Sequence, residues 1–176
     1  MSGLDLQLRA IIRDIPDFPK KGIVFKDITP LLRDPKSFSE AIDDLAGNFS
    51  DKGIDIVLGA EARGFILGGA VAYRLGAGFV PARKPGKLPY SVAAAEYDLE
   101  YGKDSLEIHE DAIMAGQNVL IVDDVLATGG TAGAKVELVE RLGGKVAGIG
   151  FLIELAFLGG REKLEAYDVY SIIKYS

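Results

Sequence analysis

The chain has 176 residues and a net charge of −6, from 20 Lys and Arg against 26 Asp and Glu. This length suits one domain with a sizeable core, and the acidic balance argues against a broad surface for nucleic acid. No apolar run approaches the roughly 20 residues that a membrane helix needs. The amino terminus lacks a signal-peptide pattern and cysteine is absent. We therefore expect a single soluble domain, located in the cytoplasm, that binds neither membrane nor nucleic acid.

The amino-terminal part of the chain predicts two helices separated by an extended segment. Apolar residues recur at helical spacing over residues 4–15, so the first helix is expected to end before Pro16. Residues 22–28 then predict extended or loop structure. Asp34 and Pro35 have the pattern of an N-cap and a first helical residue, and they open a second amphipathic helix. Its apolar stripe consists of Phe38, Ile42, Leu45 and Phe49.

From Ile54 onward the pattern alternates between strand and helix, which is typical of parallel α/β proteins. Short apolar runs bounded by turns predict strands at residues 54–58, 78–82, 119–122, 146–155 and 169–173. Helical spacing predicts helices over residues 65–75 and 131–142. The fold class is therefore predicted to be α/β, with a twisted, mostly parallel sheet flanked by helices.

Two segments next to predicted strands carry basic residues suited to an anionic ligand. Arg63 stands in a Gly-flanked turn between a strand and a helix, where an anion can rest. Arg83, Lys84 and Lys87 form the densest basic cluster of an otherwise acidic chain. The alternatives are an ordinary turn with a surface arginine and a solvated basic loop.

Residues 84–113 interrupt the alternation of strands and helices without a helical pattern. We predict a hairpin with a mobile tip, because loops of this length in compact domains usually serve as functional lids; disorder is the alternative. His109, the only histidine, lies on an alternating strand of this segment and is expected to be exposed. Without cysteine or a second histidine, a structural zinc site is not expected.

Residues 119–131 are the most informative part of the chain. An apolar strand over 119–122 places Asp123 and Asp124 at its carboxyl end, where open α/β sheets bind ligands. The Gly-rich segment that follows leads directly into a predicted helix, so its backbone N–H groups and the helix dipole can bind an anion. This anion loop consists of Ala127, Thr128, Gly129, Gly130 and Thr131.

The acid pair decides what the rest of the ligand must be. Two carboxylates beside a phosphate would repel it unless they face hydroxyl groups or a divalent cation. A sugar phosphate meets both requirements, with its hydroxyls on Asp123 and Asp124 and its phosphate in the anion loop. That loop has no lysine, so the mechanism of P-loop nucleoside triphosphatases is not indicated.

The segment from Val119 to Thr131 closely resembles the signature for 5-phosphoribosyl 1-diphosphate in the type I phosphoribosyltransferases. The resemblance implies that Asp123 and Asp124 hold the ribose hydroxyls and that residues 127–131 wrap the 5-phosphate. It also implies the type I fold in one domain, residues 1–176, with a small hood from about residues 1–33 and a flexible lid loop over about residues 84–113.

The same family binds diphosphate on a turn with a basic residue, and Arg63 matches that position. In many relatives this turn has a non-proline cis peptide, which Glu61-Ala62 or Ala62-Arg63 would supply. The resemblance assigns Arg83, Lys84 and Lys87 to the rest of the diphosphate, and Arg83 to the active site of a neighbouring subunit.

The sequence Leu99-Glu100-Tyr101-Gly102 is similar to the adenine-specific members of the family. By that resemblance Glu100 is the catalytic residue that assists proton handling at the purine imidazole. Adenine is then bound by backbone groups near Val24 and Lys26, with apolar contact from Phe25 and Leu155. Many relatives have arginine where Lys26 stands, which leaves the role of that side chain open.

The resemblance runs nearly end to end and implies purine salvage, in which adenine and 5-phosphoribosyl 1-diphosphate give AMP and diphosphate. It further implies Mg²⁺, bound through substrate and water rather than a protein site, and a homodimer. One alternative is a phosphoribosyltransferase for xanthine, hypoxanthine, guanine or orotate. The other is a non-catalytic regulator that senses the sugar diphosphate.

Overall fold

The structure of the chain is a computed structural model, and it describes residues 3–99 and 102–176. The elements in chain order are α1 (Gly3–Arg9), β1 (Arg13–Pro16), β2 (Val24–Asp27), α2 (Thr29–Arg33), α3 (Pro35–Gly47), β3 (Ile56–Ala60), α4 (Arg63–Leu75), β4 (Gly78–Ala82), β5 (Val92–Leu99), β6 (Gly102–His109), β7 (Asn118–Leu126), α5 (Gly130–Arg141), β8 (Lys145–Leu155) and β9 (Val169–Tyr175). Two short 3₁₀ helices, Ala156–Leu158 and Gly160–Leu164, connect β8 to β9. Among the helices so described, none is long and apolar enough to cross a membrane.

The central sheet has five strands in the order β4-β3-β7-β8-β9, and every neighbouring pair in it is parallel. The predicted α/β class with a mostly parallel sheet is therefore confirmed. Because the strands are parallel, their carboxyl ends lie along one edge of the sheet. The segments that carry Arg63, the basic cluster and the anion loop all leave the sheet at that edge.

Successive side chains of the central strands alternate between two apolar cores, as the pleat requires. Val57 and Leu120 pack into one core with α3 and α4, whereas Leu58 and Ile121 pack into the other with α5. The sheet is thus covered on both faces, which explains why β7 is an apolar run rather than an alternating one. The predicted N-cap is confirmed, since Asp34 accepts a hydrogen bond from the Ser37 N–H at 2.8 Å.

The amino-terminal helix is shorter than its apolar spacing predicts. It ends at Arg9, and Ile15 lies instead on strand β1, where it pairs with Phe25 of β2 in an antiparallel two-stranded sheet. The ladder of this small sheet gives residues 13–16 backbone partners, and Lys26 Nζ binds Asp14 Oδ1 across it at 2.7 Å. Tertiary pairing therefore overrides the helical spacing in this segment.

Residues 92–109 contain an antiparallel hairpin of β5 and β6, as the sequence suggests. Its tip, Glu100 and Tyr101, lies outside the described residues. The expected exposure of His109 is wrong. Its side chain is partly buried, with Nε2 out of contact with solvent, because the ring packs edge-to-face with Tyr90, with the two ring centroids 6.0 Å apart.

Candidate active site

The acid pair lies on β7 near the carboxyl edge of the sheet. β7 runs to Leu126, four residues beyond the predicted strand, so Asp123 and Asp124 are strand residues, and Asp123 pairs with Phe151 of β8. They are only 8% and 7% exposed. Carboxylates this deeply buried require partners, and the two acids find different ones.

Asp123 is held by two contacts. Its Oδ2 lies 2.5 Å from Nζ of Lys135, a fully buried lysine on α5. Its Oδ1 accepts the backbone N–H of Asp124 at 3.0 Å. Gly64, at the start of α4, leaves room for that oxygen, because a Cβ there would lie 2.7 Å from it. Asp123 is therefore fixed in orientation before any ligand arrives.

Asp124 faces Arg63, whose Nε lies 2.6 Å from Asp124 Oδ2. This contact is an ion pair without the N–H direction of a hydrogen bond, so that oxygen lacks a hydrogen-bond donor. Burial and the neighbouring Asp123 raise the pKa of Asp124 to about 7, and the Arg63 charge opposes that rise. Asp124 therefore gains and loses its proton close to neutral pH, and a ligand hydroxyl or a further cation would favour its charged form.

The anion loop adopts the conformation that its glycines permit. Gly129 has a φ of 81°, in the left-handed region, and α5 begins at the next residue. No side chain of the described residues caps this helix, so its first N–H groups lack a side-chain partner. The loop lines a small cavity of about 60 Å³. Gly160 packs against the back of the loop, where a Cβ would lie 2.1 Å from the Ala127 carbonyl oxygen.

A cavity of about 250 Å³ joins the acid pair to the loop and to part of the basic cluster. Its polar and charged lining residues are Glu61, Arg63, Lys84, Tyr97, Asp104, Asp123, Asp124 and Thr131. Positive and negative groups alternate around one space, which suits a ligand that carries both hydroxyl and anionic groups.

The three residues of the basic cluster are paired with carboxylates. Lys87 Nζ lies 2.5 Å from Glu61 Oε2, and the backbone N–H of Lys84 donates to Glu61 Oε1 at 2.7 Å. These two hydrogen bonds hold the pKa of Glu61 below its usual range, and the one from Lys87 has the larger effect. Arg83 Nε is 3.6 Å from Glu61 Oε1. The peptide bond between Glu61 and Ala62 is cis.

Lys84 also ties the basic cluster to the hairpin. Its Nζ lies 2.9 Å from Asp104 Oδ2 on β6, and the same carboxylate accepts the Tyr97 hydroxyl at 3.1 Å. The Lys84 contact holds the pKa of Asp104 below its usual range. A multiply charged anion that binds Lys84 must therefore compete with a carboxylate of the hairpin.

The residues predicted to bind a base are divided between the two faces of β2. Val24 and Lys26 line a cavity of about 490 Å³ together with Leu155. Phe25 faces the other way, with the Arg63 guanidinium carbon 5.0 Å from its ring centroid. Phe25 is thereby connected to the acid pair through Arg63. The predicted catalytic residue, Glu100, lies outside the described residues.

Sequence reasoning missed four residues of this site: Glu61, Tyr97, Asp104 and Lys135. Lys135 had a recognisable signal, because it interrupts the apolar face of α5 one turn after Thr131. The carboxylates Glu61 and Asp104 had no such signal in the sequence. Their role depends on which elements the fold brings together, and the sequence does not show that.

Comparisons with known proteins agree with this geometry. The family model of the phosphoribosyl transferase domain matches residues 31–175. The adenine phosphoribosyltransferase of Thermotoga neapolitana is 60% identical over 170 residues, which cover 97% of this chain and 100% of that protein.

Solved structures give the same result. The crystal structure of the adenine phosphoribosyltransferase of Thermoanaerobacter pseudethanolicus is 58% identical, with a TM-score of 0.94 over 97% of this chain and 99% of that one. That of Saccharomyces cerevisiae, in complex with adenine and an iminoaltritol bisphosphate, is 43% identical, with a TM-score of 0.91 over 98% and 99%. Because the match spans the acid pair, the anion loop and the basic cluster, this chain belongs to the phosphoribosyltransferase family, among the adenine phosphoribosyltransferases.

Proposed function

We propose that the chain transfers the 5-phosphoribosyl group from 5-phosphoribosyl 1-diphosphate to adenine, giving AMP and diphosphate. One observation carries the proposal: a single cavity brings the acid pair, Arg63 and Lys84 together with the anion loop. A donor with hydroxyls in its middle and phosphates at both ends has complementary chemistry. The close relatives named for adenine support the choice of acceptor.

The sugar is positioned by its hydroxyls and its 5-phosphate. Asp123 and Asp124 accept the ribose hydroxyls, and Ala127, Thr128, Gly129, Gly130 and Thr131 bind the phosphate through backbone N–H and hydroxyl groups. Because Asp123 is already fixed by Lys135, this arrangement costs little reorganisation on binding. The reacting anomeric carbon is then held next to the cations of the cavity.

The leaving diphosphate is stabilised by Arg63, Lys84 and Lys87, with Arg83 as a further cation. The anomeric carbon gains positive character as its bond to diphosphate breaks, while an imidazole nitrogen of adenine forms the new bond and gives up its proton. Glu100 is proposed to assist that proton transfer from the lid. Water exclusion by the lid protects the cation-like sugar from hydrolysis.

Adenine is proposed to lie beside β2, where the strand offers backbone groups next to Val24 and Lys26. Leu155 lines the cavity there and supplies an apolar surface. Phe25, on the other face of β2, contacts the Arg63 side chain. The related yeast enzyme was crystallised with adenine, which supports a base of this size.

Magnesium fits this site as a cation bound by the substrate. The described residues contain no group of three or more His, Asp and Glu side chains that could hold a metal, so few protein ligands are on offer. A hard cation held by diphosphate oxygens and water needs few. Bound there, Mg²⁺ would neutralise part of the charge of the diphosphate.

A homodimer is proposed from two exposed residues with large hydrophobic side chains on α4. Ile66 and Tyr73 are 47% and 90% exposed and lie two turns apart on one side of this helix. Arg83 is proposed to reach the neighbouring site of such a dimer. Sedimentation analysis should find a dimer for the wild type and a monomer for Tyr73→Asp. A monomeric wild type would contradict the proposed homodimer.

A cytoplasmic location of the protein stays a prediction.

A panel of bases tests the proposed reaction. The protein is mixed with Mg²⁺, 5-phosphoribosyl 1-diphosphate and one base at a time, and diphosphate release is measured. Release with adenine alone is the expected result. Release with hypoxanthine, guanine, xanthine or orotate instead would favour the rival enzyme, and tight binding of the sugar diphosphate without release would favour the regulator.

A further inference from the structure

Lys135 is a fully buried charge that contacts Asp123 and, in the proposed reaction, does not contact the substrate. Its side chain is fully buried on α5, where the neighbouring buried residues Ala134 and Val136 are apolar. Burying an ammonium group is costly unless it is paired, and here the partner is Asp123 Oδ2 at 2.5 Å. A fully apolar residue would satisfy the core of α5 without that cost, so the lysine needs another explanation.

The position of Lys135 connects the two halves of the sugar site. It lies one helical turn after Thr131, on the same side of α5, so the residue that binds phosphate and the residue that holds Asp123 share one rigid element. Asp123 Oδ1 is meanwhile occupied by the Asp124 N–H. Each Asp123 oxygen thus keeps accepting capacity for a hydroxyl while its direction is fixed.

When both acids are ionised, the charges of the cluster cancel. Asp123 and Asp124 are neighbours on one strand and both nearly buried, and Lys135 and Arg63 supply one positive charge to each at 2.5 and 2.6 Å. Without Lys135 the two acids would share a single cation while facing a ligand with two anionic ends. Like charges this close disfavour the ionised forms that accept hydroxyls.

We propose that Lys135 is a positioning residue of the sugar site, which orients Asp123 and neutralises one member of the acid pair so that both acids tolerate an anionic sugar. The proposal rests on the proposed function for the identity of that sugar. The dependence of activity on pH is set by Asp124 and by the charged and titratable groups around it. These groups are Glu61, Arg63, Lys84, Tyr97, Asp104, Asp123 and Lys135.

Three variants separate positioning from packing: Lys135→Gln, Lys135→Arg and the control Lys145→Gln, an exposed lysine at the opposite end of the sheet. Lys135→Gln should raise the KM for the sugar diphosphate and the Kd for ribose 5-phosphate about tenfold, as expected when one member of a buried charge pair is lost. It should also move the acid limb of the kcat/KM profile to higher pH, because Lys135 opposes the raised pKa of Asp124. Lys135→Arg should keep the affinities and the pH profile close to those of the wild type, and the control Lys145→Gln should change neither the affinities nor the profile.

A folded Lys135→Gln variant with the wild-type KM, Kd and pH profile would overturn the proposal. If that variant does not fold, nitrogen-15 NMR of the wild type tests the proposal instead. A slowly exchanging lysine ammonium signal, assigned by its loss in Lys135→Arg, should persist when ribose 5-phosphate binds; its absence would overturn the proposal. Failure of the wild type to make AMP would count against the proposed function, while the ribose 5-phosphate affinities would still test Lys135.

Discussion

Lys87 Nζ lies 2.5 Å from Glu61 Oε2, so a cation proposed for the substrate's diphosphate is bound to a carboxylate of the same protein. The two residues come from different sides of the site, Glu61 from the turn after β3 and Lys87 from the segment after β4. To bind Lys87, diphosphate must replace the Glu61 carboxylate as its ion-pair partner. The carboxylate is thus a competitor of the ligand as well as an anchor for the basic cluster.

Glu61→Gln should therefore strengthen the binding of inorganic diphosphate. Glutamine can still accept the Lys84 N–H, but it no longer holds the Lys87 charge. Lys87 is 46% exposed, so the pair contributes about 0.2–1 kcal/mol and the gain in affinity should be about 1.5- to fivefold in titration calorimetry. Asp43→Asn, which breaks the distant exposed pair with Arg74, is the control. Weaker diphosphate binding by Glu61→Gln would mean that Glu61 orients Lys87 for the ligand instead.

The raised pKa of Asp124 predicts how stability depends on pH. Below 3.8 the carboxyl is protonated in both states, and between 3.8 and about 7 only the folded state keeps its proton. The free energy of unfolding of the ligand-free protein should then fall across this range as pH rises, by up to about 1.4 kcal/mol per pH unit from this group. Asp124→Asn should remove that slope in denaturant titrations at pH 4.5–7.5. Parallel curves for the two proteins would contradict it.

Gly160 supports the anion loop by its lack of a side chain. A Cβ there would lie 2.1 Å from the Ala127 carbonyl oxygen and 2.8 Å from the Gly129 nitrogen, both of them backbone atoms. Gly160→Ala should therefore displace the loop, lower the free energy of unfolding by about 1–3 kcal/mol and raise the KM for the sugar diphosphate about tenfold. Gly47→Ala on α3, where a Cβ meets open space, should leave that KM unchanged. An unchanged KM in Gly160→Ala would show that the loop adapts.

Glu100→Ala should lower kcat by about 10²- to 10⁴-fold, the range for a lost general acid or base, with a much smaller change in the affinity for the sugar diphosphate. The split is expected because Glu100 is proposed to act on the base and not on the sugar. Glu96→Ala, at another carboxylate of the same hairpin, is the matched control. Equal losses in kcat and in affinity would rule out the proposed role of Glu100 and make it a lid-closing residue.

The sheet and the anion loop were predictable because local signals decide them. The apolar run of β7, the Gly129-Gly130 pair and the Asp34 cap each act within a few residues. Residues 13–15 were wrongly assigned to the first helix, since the strand they form exists only through pairing with β2. For the same reason the pairs of Lys135 with Asp123 and of Glu61 with Lys87 were missed: their partners are 12 and 26 residues apart and meet only in the folded chain.

The most direct test of the central claim is the product itself. Wild-type protein and Asp124→Asn are incubated with Mg²⁺, adenine and 5-phosphoribosyl 1-diphosphate, and AMP and diphosphate are quantified by chromatography. We expect equimolar AMP and diphosphate from the wild type and at least a tenfold lower rate from the variant, because its neutral amide replaces one acceptor oxygen of the carboxylate with an NH₂ donor. Wild-type protein that binds the sugar diphosphate but forms no AMP, or a variant as fast as the wild type, would contradict it.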